Sequence, residues 1–471
     1  MQTTSPKRPQ LTREQAEQFH YLEVLKRTGP AGAEYLDPWD PLQDSFMIDG
    51  GAVVPDYRVA GDGEIGVLQR AVDVAVRDAL ASGRTDRIYI ELGAGLYRGL
   101  VYVPALVVNG VNVPITLFAA SDDPASTVIT ETIDAEMPAT DYAQIFGDLF
   151  AQCHDTIKEI HDKICTRSGI ITTANASVVR VENHGFQMKG LSVRNGYNAD
   201  RVQPGRDDGP RNAAGQFTTG QHQAVAVLIA GADKVHLDHV HLSSYQDTLY
   251  FQGPAPAVTA RSFYSHCYIE GDVDFIFGQT TAYFWECEIK SLGSRAQHSW
   301  VCAPSTNIRT PYGVVFQSCT FTHDNSDTAL AGHFNLGRQW FEGVRCTPYG
   351  TSPIDGYACE LGDISQFDGT QGTISVITLE SVGKCAVLNC KIGAHINTVA
   401  PWANWNGGTF DLNGTYTPAP WSARYRPTLY SAQDFIDGLS HWAPMASLDF
   451  SDIDQNETFL AEFESKEISL K

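Results

Sequence analysis

Short segments of alternating apolar and polar residues recur along the chain from about residue 178. In each, an apolar or cysteine residue precedes a mostly polar residue and then a large apolar one, which is the two-residue period of a β-strand. Six segments share this template, at 186–193, 235–242, 263–269, 284–289, 316–321 and 388–392. The separation between them has a minimum near 20 residues and varies above it, as in solenoid coils that carry side loops. The strands of a β-meander or β-sandwich also alternate apolar and polar residues, but these folds would not favour one recurring template. The pattern therefore predicts an all-β parallel β-helix.

One segment follows a helical period instead. Apolar residues recur at three- and four-residue spacing over 64–82, with Asp62 available to cap the start and Gly83 following the end. This predicts a short N-terminal helix that caps the open end of the solenoid. Residues 1–45 are polar with scattered prolines and are predicted to form an arm. The solenoid is predicted over 46–440, followed by a tail over 441–471 that packs on it.

The composition describes a folded protein and excludes several classes. Of the 471 residues, 43% are hydrophobic and 19% charged, which separates the chain from disordered acidic proteins. The net charge of −22 argues against nucleic acid as a partner, because a polyanion-binding surface needs an excess of basic residues. No uninterrupted apolar run reaches about 18 residues, so no transmembrane helix is predicted.

Ten cysteines allow two interpretations of the repeated template. Cys267 and Cys287 fall on its central position in adjacent coils, about 4.8 Å apart, where a disulfide could form. The alternative is a buried ladder of reduced thiols that also includes Cys319 and Cys390. The spacing alone leaves both open. The chain contains no Cys-x-x-Cys pair, so a cysteine metal site is poorly supported.

Two carboxylates inside apolar strands are candidates for chemistry. Asp247 lies in the strand-like run 245–251 and Asp274 in the apolar run 273–277, each directly after a template strand. An unpaired buried carboxylate costs several kcal/mol, on the order of the usual transfer penalties. In neighbouring coils the pair would share one face and could divide into nucleophile and general acid. Arg338 is a suitable charge partner. The alternative for each aspartate is a hydrogen-bonded turn residue.

Two glutamines are candidates for stabilising an oxyanion. Gln223 begins an apolar strand and Gln246 precedes Asp247. Amide N–H groups directed at one point are what a developing oxyanion requires. Singly they are weak signals, because glutamines at strand ends usually meet solvent.

Four motifs occur in order: Gln-Ala-Val-Ala-Val at 223–227, Gln-Asp-Thr-Leu-Tyr at 246–250, Asp-Phe-Ile-Phe-Gly at 274–278 and Leu-Gly-Arg-Gln-Trp at 336–340. This set resembles the pectin methylesterase family, and the resemblance covers roughly residues 50–400. It implies a right-handed parallel β-helix. It also implies hydrolysis of the methyl esters of polygalacturonate without a metal or other cofactor.

The resemblance assigns roles to matching residues. Asp274 would be the nucleophile and Asp247 the general acid and then base, with Gln223 and Gln246 forming the oxyanion site and Arg338 pairing with Asp274. The predicted substrate-binding aromatic residues are Trp340, Phe275, Tyr250, Trp402 and Trp405, with ordinary packing as the alternative for the last two. Bacterial members of the family bridge the positions that match Cys267 and Cys287, so the resemblance favours that disulfide.

The chain departs from the family pattern in places. Gly99 stands where the family usually has Glu, and Gln339 where it usually has Pro, which affects local packing more than chemistry. The segment 131–176 is predicted to be an insertion with a helix over 156–164, similar to the longer Gram-negative-type branch. Some relatives in that branch have lost the catalytic carboxylates and are suspected of thioester hydrolysis. This chain keeps both aspartates and the arginine.

Other functions remain as alternatives. A related carboxylester or thioester hydrolase would use the same residues, and a non-catalytic polysaccharide-binding solenoid would share the cleft. A pectate lyase would need a calcium-binding acidic cluster and a basic group, neither present as a motif. His236, His239 and His241 crowd one strand, but only the last two share a face, so no metal site is predicted.

The expected partner is pectin, and the protein is expected to act as a monomer. A polysaccharide substrate and a disulfide point to a secreted, extracellular or periplasmic and outer-membrane-associated protein. The N-terminal residues lack the apolar stretch of a signal peptide, so a targeting signal is expected to lie outside this sequence. The net negative charge predicts weak retention of the anionic product and therefore scattered demethylation.

Overall fold

The repeated β segments stack on one another through parallel backbone hydrogen bonds in the computed structural model of the protein. The structure describes residues 6–49, 53–197, 222–295, 298–349, 355–406, 408–410, 416–418 and 423–469. Its helices are α1 (Arg13–Glu17), α2 (Tyr21–Val24), α3 (Ser45–Asp49), α4 (Val67–Ser82), α5 (Ala139–Phe150), α6 (Asp155–Cys165), α7 (Asp327–Leu330), α8 (Val376–Leu379) and α9 (Ala432–Leu439).

The strands are short, as the template predicts. In the N-terminal half they are β1 (Arg27–Pro30), β2 (Tyr35–Leu36), β3 (Tyr57–Ile65), β4 (Ile88–Arg98), β5 (Val101–Val103), β6 (Val107–Val108), β7 (Val111–Asn112), β8 (Ile115–Ala119), β9 (Thr127–Glu131), β10 (Ser177–Val181), β11 (Gln187–Lys189), β12 (Ser192–Asn195), β13 (Val225–Ala230), β14 (Val235–Asp238) and β15 (His241–Ser243). They continue with β16 (Leu249–Gln252), β17 (Val258–Thr259), β18 (Arg261–Ser265), β19 (Tyr268–Gly271), β20 (Val273–Gly278), β21 (Thr281–Trp285), β22 (Glu288–Ser291), β23 (Trp300–Pro304), β24 (Val314–Gln317), β25 (Thr320–His323) and β26 (Asn335–Arg338). The remainder are β27 (Ala358–Leu361), β28 (Gln366–Asp368), β29 (Gln371–Ile374), β30 (Cys385–Leu388), β31 (Lys391–Gly393), β32 (Trp402–Ala403), β33 (Gly408–Phe410), β34 (Tyr416–Pro418), β35 (Leu460–Phe463) and β36 (Lys466–Ile468).

Three stacks of parallel strands build the solenoid. The first stack is one sheet in the order β5, β10, β13, β16, β20, β23, β26 and β32. The second stack contains β8, β11, β14, β18, β21, β24, β30 and β35, and the third contains β9, β12, β15, β19, β22, β25, β31 and β36. The long strand β4 pairs with both β8 and β9 and so joins the last two stacks. Each coil takes one strand from every stack, which confirms the predicted parallel β-helix.

The corner between the second and third stacks explains the repeated template. The chain turns there through one left-handed residue per coil: His239, His266, Glu286, Ser318 and Asn389, with φ of 51°, 52°, 53°, 57° and 52°. The residue after each lies in the interior: Val240, Cys267, Cys287, Cys319 and Cys390. A one-residue turn followed by an inward side chain therefore fixes the apolar or cysteine position that recurs in the sequence.

Cys267 and Cys287 stack in adjacent coils as predicted, with Ser265 opposite Trp285 in the paired strands. Both are free thiols in the structure, in place of the predicted disulfide. The Cys267 Sγ donates to the carbonyl of Leu237 at 3.4 Å, and the Cys287 Sγ donates to that of Tyr264 at 3.4 Å. Each thiol thus contacts a backbone oxygen of the preceding coil, and the structure has the reduced ladder that was the alternative interpretation.

Helix α4 is shorter at its start than the sequence predicts. Residues 64 and 65 continue β3, because Ile65 pairs with Arg98 of β4, and the helix begins after Gly66. The Asp62 carboxylate accepts a hydrogen bond from the Glu64 amide and does not cap the helix. The end is as predicted, with Gly83 in the left-handed conformation that helix C-termini favour. The predicted helix in the insertion is also present, as α6, and α5 precedes it.

Both ends of the chain pack on the solenoid. In the arm, β1 pairs with β17 and Arg8 forms an ion pair with Glu462 at 2.7 Å. At the other end, β35 and β36 complete the last coil beside β30 and β31. Among the described residues, no helix combines the length and apolar character that crossing a bilayer requires.

Candidate active site

Asp247 and Asp274 occupy equivalent positions in consecutive coils of the first stack. Strand β16 pairs with β20 so that Leu249 lies opposite Ile276, the same offset that separates the two aspartates. The Asp247 amide donates to the carbonyl of Val273 at 3.0 Å. Both side chains are buried, with 7% and 6% of their surface exposed. The structure therefore brings the two carboxylates together, as the sequence predicts.

Both aspartates have left-handed backbone conformations, with φ of 68° at Asp247 and 50° at Asp274. For a non-glycine residue this conformation costs roughly 1–2 kcal/mol. Such conformations persist only where the surrounding structure fixes them, and they concentrate at functional sites. The two turns change the direction of the chain just before β16 and at the start of β20.

Arg338, at the end of β26, holds Asp274 in a two-pronged ion pair. Its Nε donates to Oδ1 at 2.8 Å and its Nη2 to Oδ2 at 2.6 Å. The guanidinium carbon lies 4.0 Å from the ring centroid of Trp300 and 4.7 Å from that of Trp405. This paired geometry fixes the plane of the carboxylate and compensates its charge within a largely buried site.

Asp247 has no comparable cation fork among the described contacts, and its surroundings favour the neutral acid. Burial raises the pKa of Asp247 well above its usual range, and the nearby Asp274 carboxylate raises it further. Arg338 acts in the opposite direction but does not cancel these effects. One carboxylate is thus oriented by a cation while the surroundings of the other favour its protonated form, which is the division of roles that acid–base chemistry requires.

The predicted oxyanion glutamines lie beside this pair: Gln246 directly precedes Asp247 on the same coil, and Gln223 lies on the coil before it. The Ala224 amide donates to the carbonyl of Gln246 at 3.0 Å, so Gln223 and Gln246 lie on neighbouring coils. Gln246 is mostly buried and Gln223 is half-buried. The carbonyl of Gln223 accepts a hydrogen bond from the Ala135 amide at 2.9 Å, which ties this strand end to the insertion.

Three aromatic side chains form a wall on the outer side of the first stack. The rings of Tyr250 and Phe277 are stacked with centroids 4.2 Å apart. Trp340 meets both edge-on, at 6.0 Å from Tyr250 and 5.4 Å from Phe277. Gln279 donates to the Tyr250 hydroxyl at 3.1 Å. Tyr250 and Trp340 were predicted to line the site, and the structure places them side by side.

Phe275 does not belong to this wall. It is completely buried in the interior cluster of the solenoid, so the prediction that it contacts substrate is wrong. The pairing of β20 with β23 shifts register between Val273 and Ile276, which turns Phe275 inward and Phe277 outward. Trp402 is also packed in the interior, with 4% of its surface exposed. This is the ordinary packing that was the alternative prediction for it. Trp405 packs there as well but presents its ring to Arg338.

Two site residues were missed in the sequence. Phe277 lies three positions after Asp274, within the recognised motif at 274–278. The feature that could have identified it as a site residue is its outward position after the irregularity in the strand. Trp300 begins the next strand of the first stack, opposite Val273. Because the coils differ in length, nothing in the sequence alone brings Trp300 next to Arg338.

Two groups of side chains have the donor atoms that metal ions use. Asp238, His239 and His266 form one, on the outer corner, and Asp134, Glu136 and His222 form the other, with the donor atoms of each group within 4.8 Å of one another. In the first group the Asp238 carboxylate also pairs with Lys189 at 2.5 Å. Neither group includes the two aspartates or Arg338.

The comparisons with known proteins agree on one family. A sequence profile for the family described as Pectinesterase matches residues 160–349. Pectinesterase B of Dickeya dadantii (strain 3937) is 32% identical over 353 residues, which are 73% of this chain and 75% of the relative. A pectinesterase of Sitophilus oryzae is 30% identical over 325 residues, 68% of this chain and 75% of the relative.

The fold comparison finds the same architecture in a solved structure of low sequence identity. The structure of rice weevil pectin methyl esterase superposes with a TM-score of 0.65, covering 99% of both chains at 23% identity. The two sequence relatives match about two thirds or more of this chain, at 68% and 73% of its length. The chain therefore belongs to the pectinesterase family and is a carboxylic ester hydrolase.

Proposed function

We propose that this protein hydrolyses the C6 methyl ester of galacturonate units in pectin, releasing methanol and leaving a free carboxylate, with Asp274 as the nucleophile. The observation that carries the proposal is the pairing of Asp274, held in an arginine fork, with the buried Asp247 of the preceding coil, whose pKa is raised by burial and by the Asp274 carboxylate. Aspartate nucleophiles form acyl intermediates that divide a difficult hydrolysis into two easier steps.

In the first step an Asp274 oxygen attacks the ester carbonyl carbon. The carbonyl oxygen becomes negatively charged, and the amide groups of Gln223 and Gln246 are proposed to donate to it. Arg338 keeps the Asp274 carboxylate oriented during the attack. Collapse of the tetrahedral intermediate breaks the bond to the methoxy group, and Asp247 gives its proton to the departing oxygen, so methanol leaves.

In the second step the roles of acid and base exchange. Asp247, now ionised, removes a proton from water, and the resulting hydroxide attacks the galacturonyl carbonyl of the acyl-enzyme. The bond to Asp274 breaks, which restores its carboxylate and frees the acid product. Asp247 ends the cycle protonated again, and no metal ion is required for any step.

In the aromatic wall, Trp340 is the partly exposed member and supplies an apolar face on which a sugar ring can stack. Tyr250 and Phe277, with 2% and 3% of their surface exposed, pack against its ring and hold it in place. Trp300 and Trp405 border the other side of Arg338. Aromatic side chains combine a large apolar surface with a low conformational cost on binding. We infer that these two groups flank the galacturonate unit whose ester is cleaved.

The test is methanol release from highly methylated pectin in the presence of EDTA. We expect wild-type activity to survive the chelator and Asp274→Asn to abolish it. The matched control is Asp368→Asn, an exposed aspartate on β28, which should leave activity unchanged. Wild-type protein that releases no methanol would contradict the proposal; cleavage of small acyl thioesters would then favour the thioester alternative, and pectin binding without turnover the binding solenoid.

We propose that the protein acts outside the cytoplasm, because its proposed substrate is a cell-wall polymer too large to enter cells. We also propose that it acts as a monomer. Fractionation of cells that produce the native precursor, followed by light scattering of the purified protein, tests both statements. Recovery of the activity in the cytoplasmic fraction would contradict the first, and a stable dimer mass would contradict the second.

A further inference from the structure

A second buried ion pair lies beside the carboxylates and takes no part in the mechanism above. Asp272 and Arg295 are joined by two hydrogen bonds of 2.6 Å, from Nε to Oδ2 and from Nη2 to Oδ1. The side chain of Asp272 is fully buried and that of Arg295 is 4% exposed. The guanidinium also lies 5.7 Å from the ring centroid of Tyr245.

Asp272 is hydrogen-bonded to the three backbone segments that carry Asp247, Asp274 and Trp300. The Asp272 amide donates to the carbonyl of Tyr245 at 2.9 Å, two residues before Asp247. The Asp272 carbonyl accepts from the amide of Trp300 at 2.9 Å. Its Oδ1 accepts from the amide of Val273 at 2.6 Å, directly before Asp274.

The turns at Asp247 and Asp274 need such attachment, because both adopt the left-handed conformation that non-glycine residues disfavour. Arg338 holds only the side chain of Asp274, and no described contact of Arg338 fixes either turn. The Asp272 carboxylate bonds to the amide of Val273, directly before the turn at Asp274, and the Asp272 main chain bonds to Tyr245, two residues before the turn at Asp247.

We propose that Asp272 and Arg295 are positioning residues of the esterase, whose buried ion pair fixes the two turns that present Asp247 and Asp274 to the ester. They act through the backbone and touch neither the proposed substrate nor the reacting oxygens. The inference rests on the proposed function, since it concerns the geometry of that reaction. Misplacement of reacting groups by about 1 Å can cost on the order of 100-fold in rate.

The charges of the pair supply a readout that a purely structural role would not move. The groups acting on Asp247 are Asp274, Arg338, Asp272 and Arg295, and Tyr250 also lies close enough to interact with it. Asp272 raises the pKa of Asp247, and Arg295 lowers it. Removing one member should therefore move the alkaline limb of activity, where Asp247 loses its proton, and removing both should restore its position.

The experiment compares Asp272→Asn, Arg295→Gln, their double variant and Arg295→Lys in the full chain. Methanol release gives kcat and KM from about pH 4 to pH 10, and thermal unfolding is recorded for each protein. The control is Arg70→Gln on the distant helix α4, which breaks an exposed ion pair between Arg70 and Glu64 of β3.

We expect kcat to fall about 10- to 100-fold in all four variants, with KM for pectin changed less than threefold. The alkaline limb should move to lower pH in Asp272→Asn and to higher pH in Arg295→Gln. It should stay near its wild-type position in the double variant and in Arg295→Lys, which keeps the charge but loses the fork.

The proposal is overturned if the variants lose only thermal stability and keep wild-type kcat and pH limits. If Asp272→Asn and Arg295→Gln do not fold, the double variant and Arg295→Lys decide the question, because a wild-type kcat in both would overturn the proposal. Wild-type protein without methanol release would instead contradict the proposed function, which separates the two failures.

Discussion

Replacing Arg338 by lysine tests whether the fork on Asp274, rather than its charge alone, supports hydrolysis. Lysine keeps the positive charge and can donate one hydrogen bond to the carboxylate. It cannot reproduce the paired Nε–Oδ1 and Nη2–Oδ2 bonds of 2.8 and 2.6 Å. It also lacks the planar group that stacks between Trp300 and Trp405 at 4.0 and 4.7 Å.

The size of the effect follows from these losses. One charge-assisted hydrogen bond contributes about 1.5–3 kcal/mol, and a cation–aromatic contact about 0.5–2 kcal/mol in a partly desolvated site. If about 2–4 kcal/mol of this organisation is expressed in the transition state, then at about 1.4 kcal/mol per tenfold kcat/KM falls roughly 30- to 1,000-fold. Arg338→Met leaves a buried carboxylate unpaired, which costs about 3–5 kcal/mol, so its loss should be larger still.

The assay is initial-rate methanol release from methylated pectin, with kcat and KM determined separately. The loss in Arg338→Lys should appear mainly in kcat, because Arg338 organises the nucleophile and not the sugar. The matched control is Arg345→Lys, a change at an exposed arginine, and thermal unfolding verifies that all variants fold. An Arg338→Lys enzyme within threefold of wild type would refute the reasoning, since charge alone would then suffice.

Three further outcomes are expected. Asp247→Asn should lose methanol release. Because burial raises the pKa of Asp247, the folded protein binds this proton more tightly than the unfolded chain, so the contribution of Asp247 to wild-type stability falls as the pH rises above about 4, and the melting temperature of the variant relative to wild type should rise toward pH 7. Phe277→Ala should raise KM for pectin, whereas Phe275→Ala should cost about 3–5 kcal/mol of stability with KM unchanged; similar effects on KM would contradict the two assignments. Alkylation of the denatured protein without reductant should label both Cys267 and Cys287, and recovery of a linked peptide pair would contradict the thiol ladder.

The repeated template was sufficient to predict the solenoid because its physical origin is local. One left-handed residue makes the corner between the second and third stacks, and the next residue must point inward. That constraint recurs in every coil whatever the loops do. The register of the first stack was also accessible, because the 27-residue offset between Val240 and Cys267 is the offset between Asp247 and Asp274.

The inward or outward direction of the aromatic residues was not accessible from period-two alternation. In a regular strand Phe275 and Phe277 would share one face. The left-handed turn at Asp274 and the register shift that follows it break this regularity, so Phe275 packs inside and Phe277 outside. The same irregularity places the Asp274 carboxylate in the site. It also makes the directions of the Phe275 and Phe277 side chains unpredictable from the sequence.

Contacts between distant coils were equally inaccessible. Arg295 lies in the connection between β22 and β23, whose length differs from that of the other coils, and Trp300 begins the strand that follows it. The positions of both depend on how that connection folds back. A similar non-local cause explains the start of α4, where pairing of Ile65 with Arg98 extends a strand into the predicted helix. Tertiary pairing outweighs the helical period there, because the backbone groups of residues 64 and 65 find partners in β4.

The cysteine ladder shows where a repeating architecture stops determining chemistry. Stacking places Cys267 between the thiol of Cys287 on one side and the backbone of the preceding coil on the other. Its sulfur can therefore either form a disulfide bond with Cys287 or donate a hydrogen bond to a backbone carbonyl. Cys287 faces the same choice with Cys319, and Cys319 with Cys390, because every coil repeats the corner. In the structure each sulfur donates to a carbonyl of the coil before it, which serves all four thiols alike. A single disulfide would serve two of them and remove the donors from two carbonyls, so the repeat itself favours the reduced ladder.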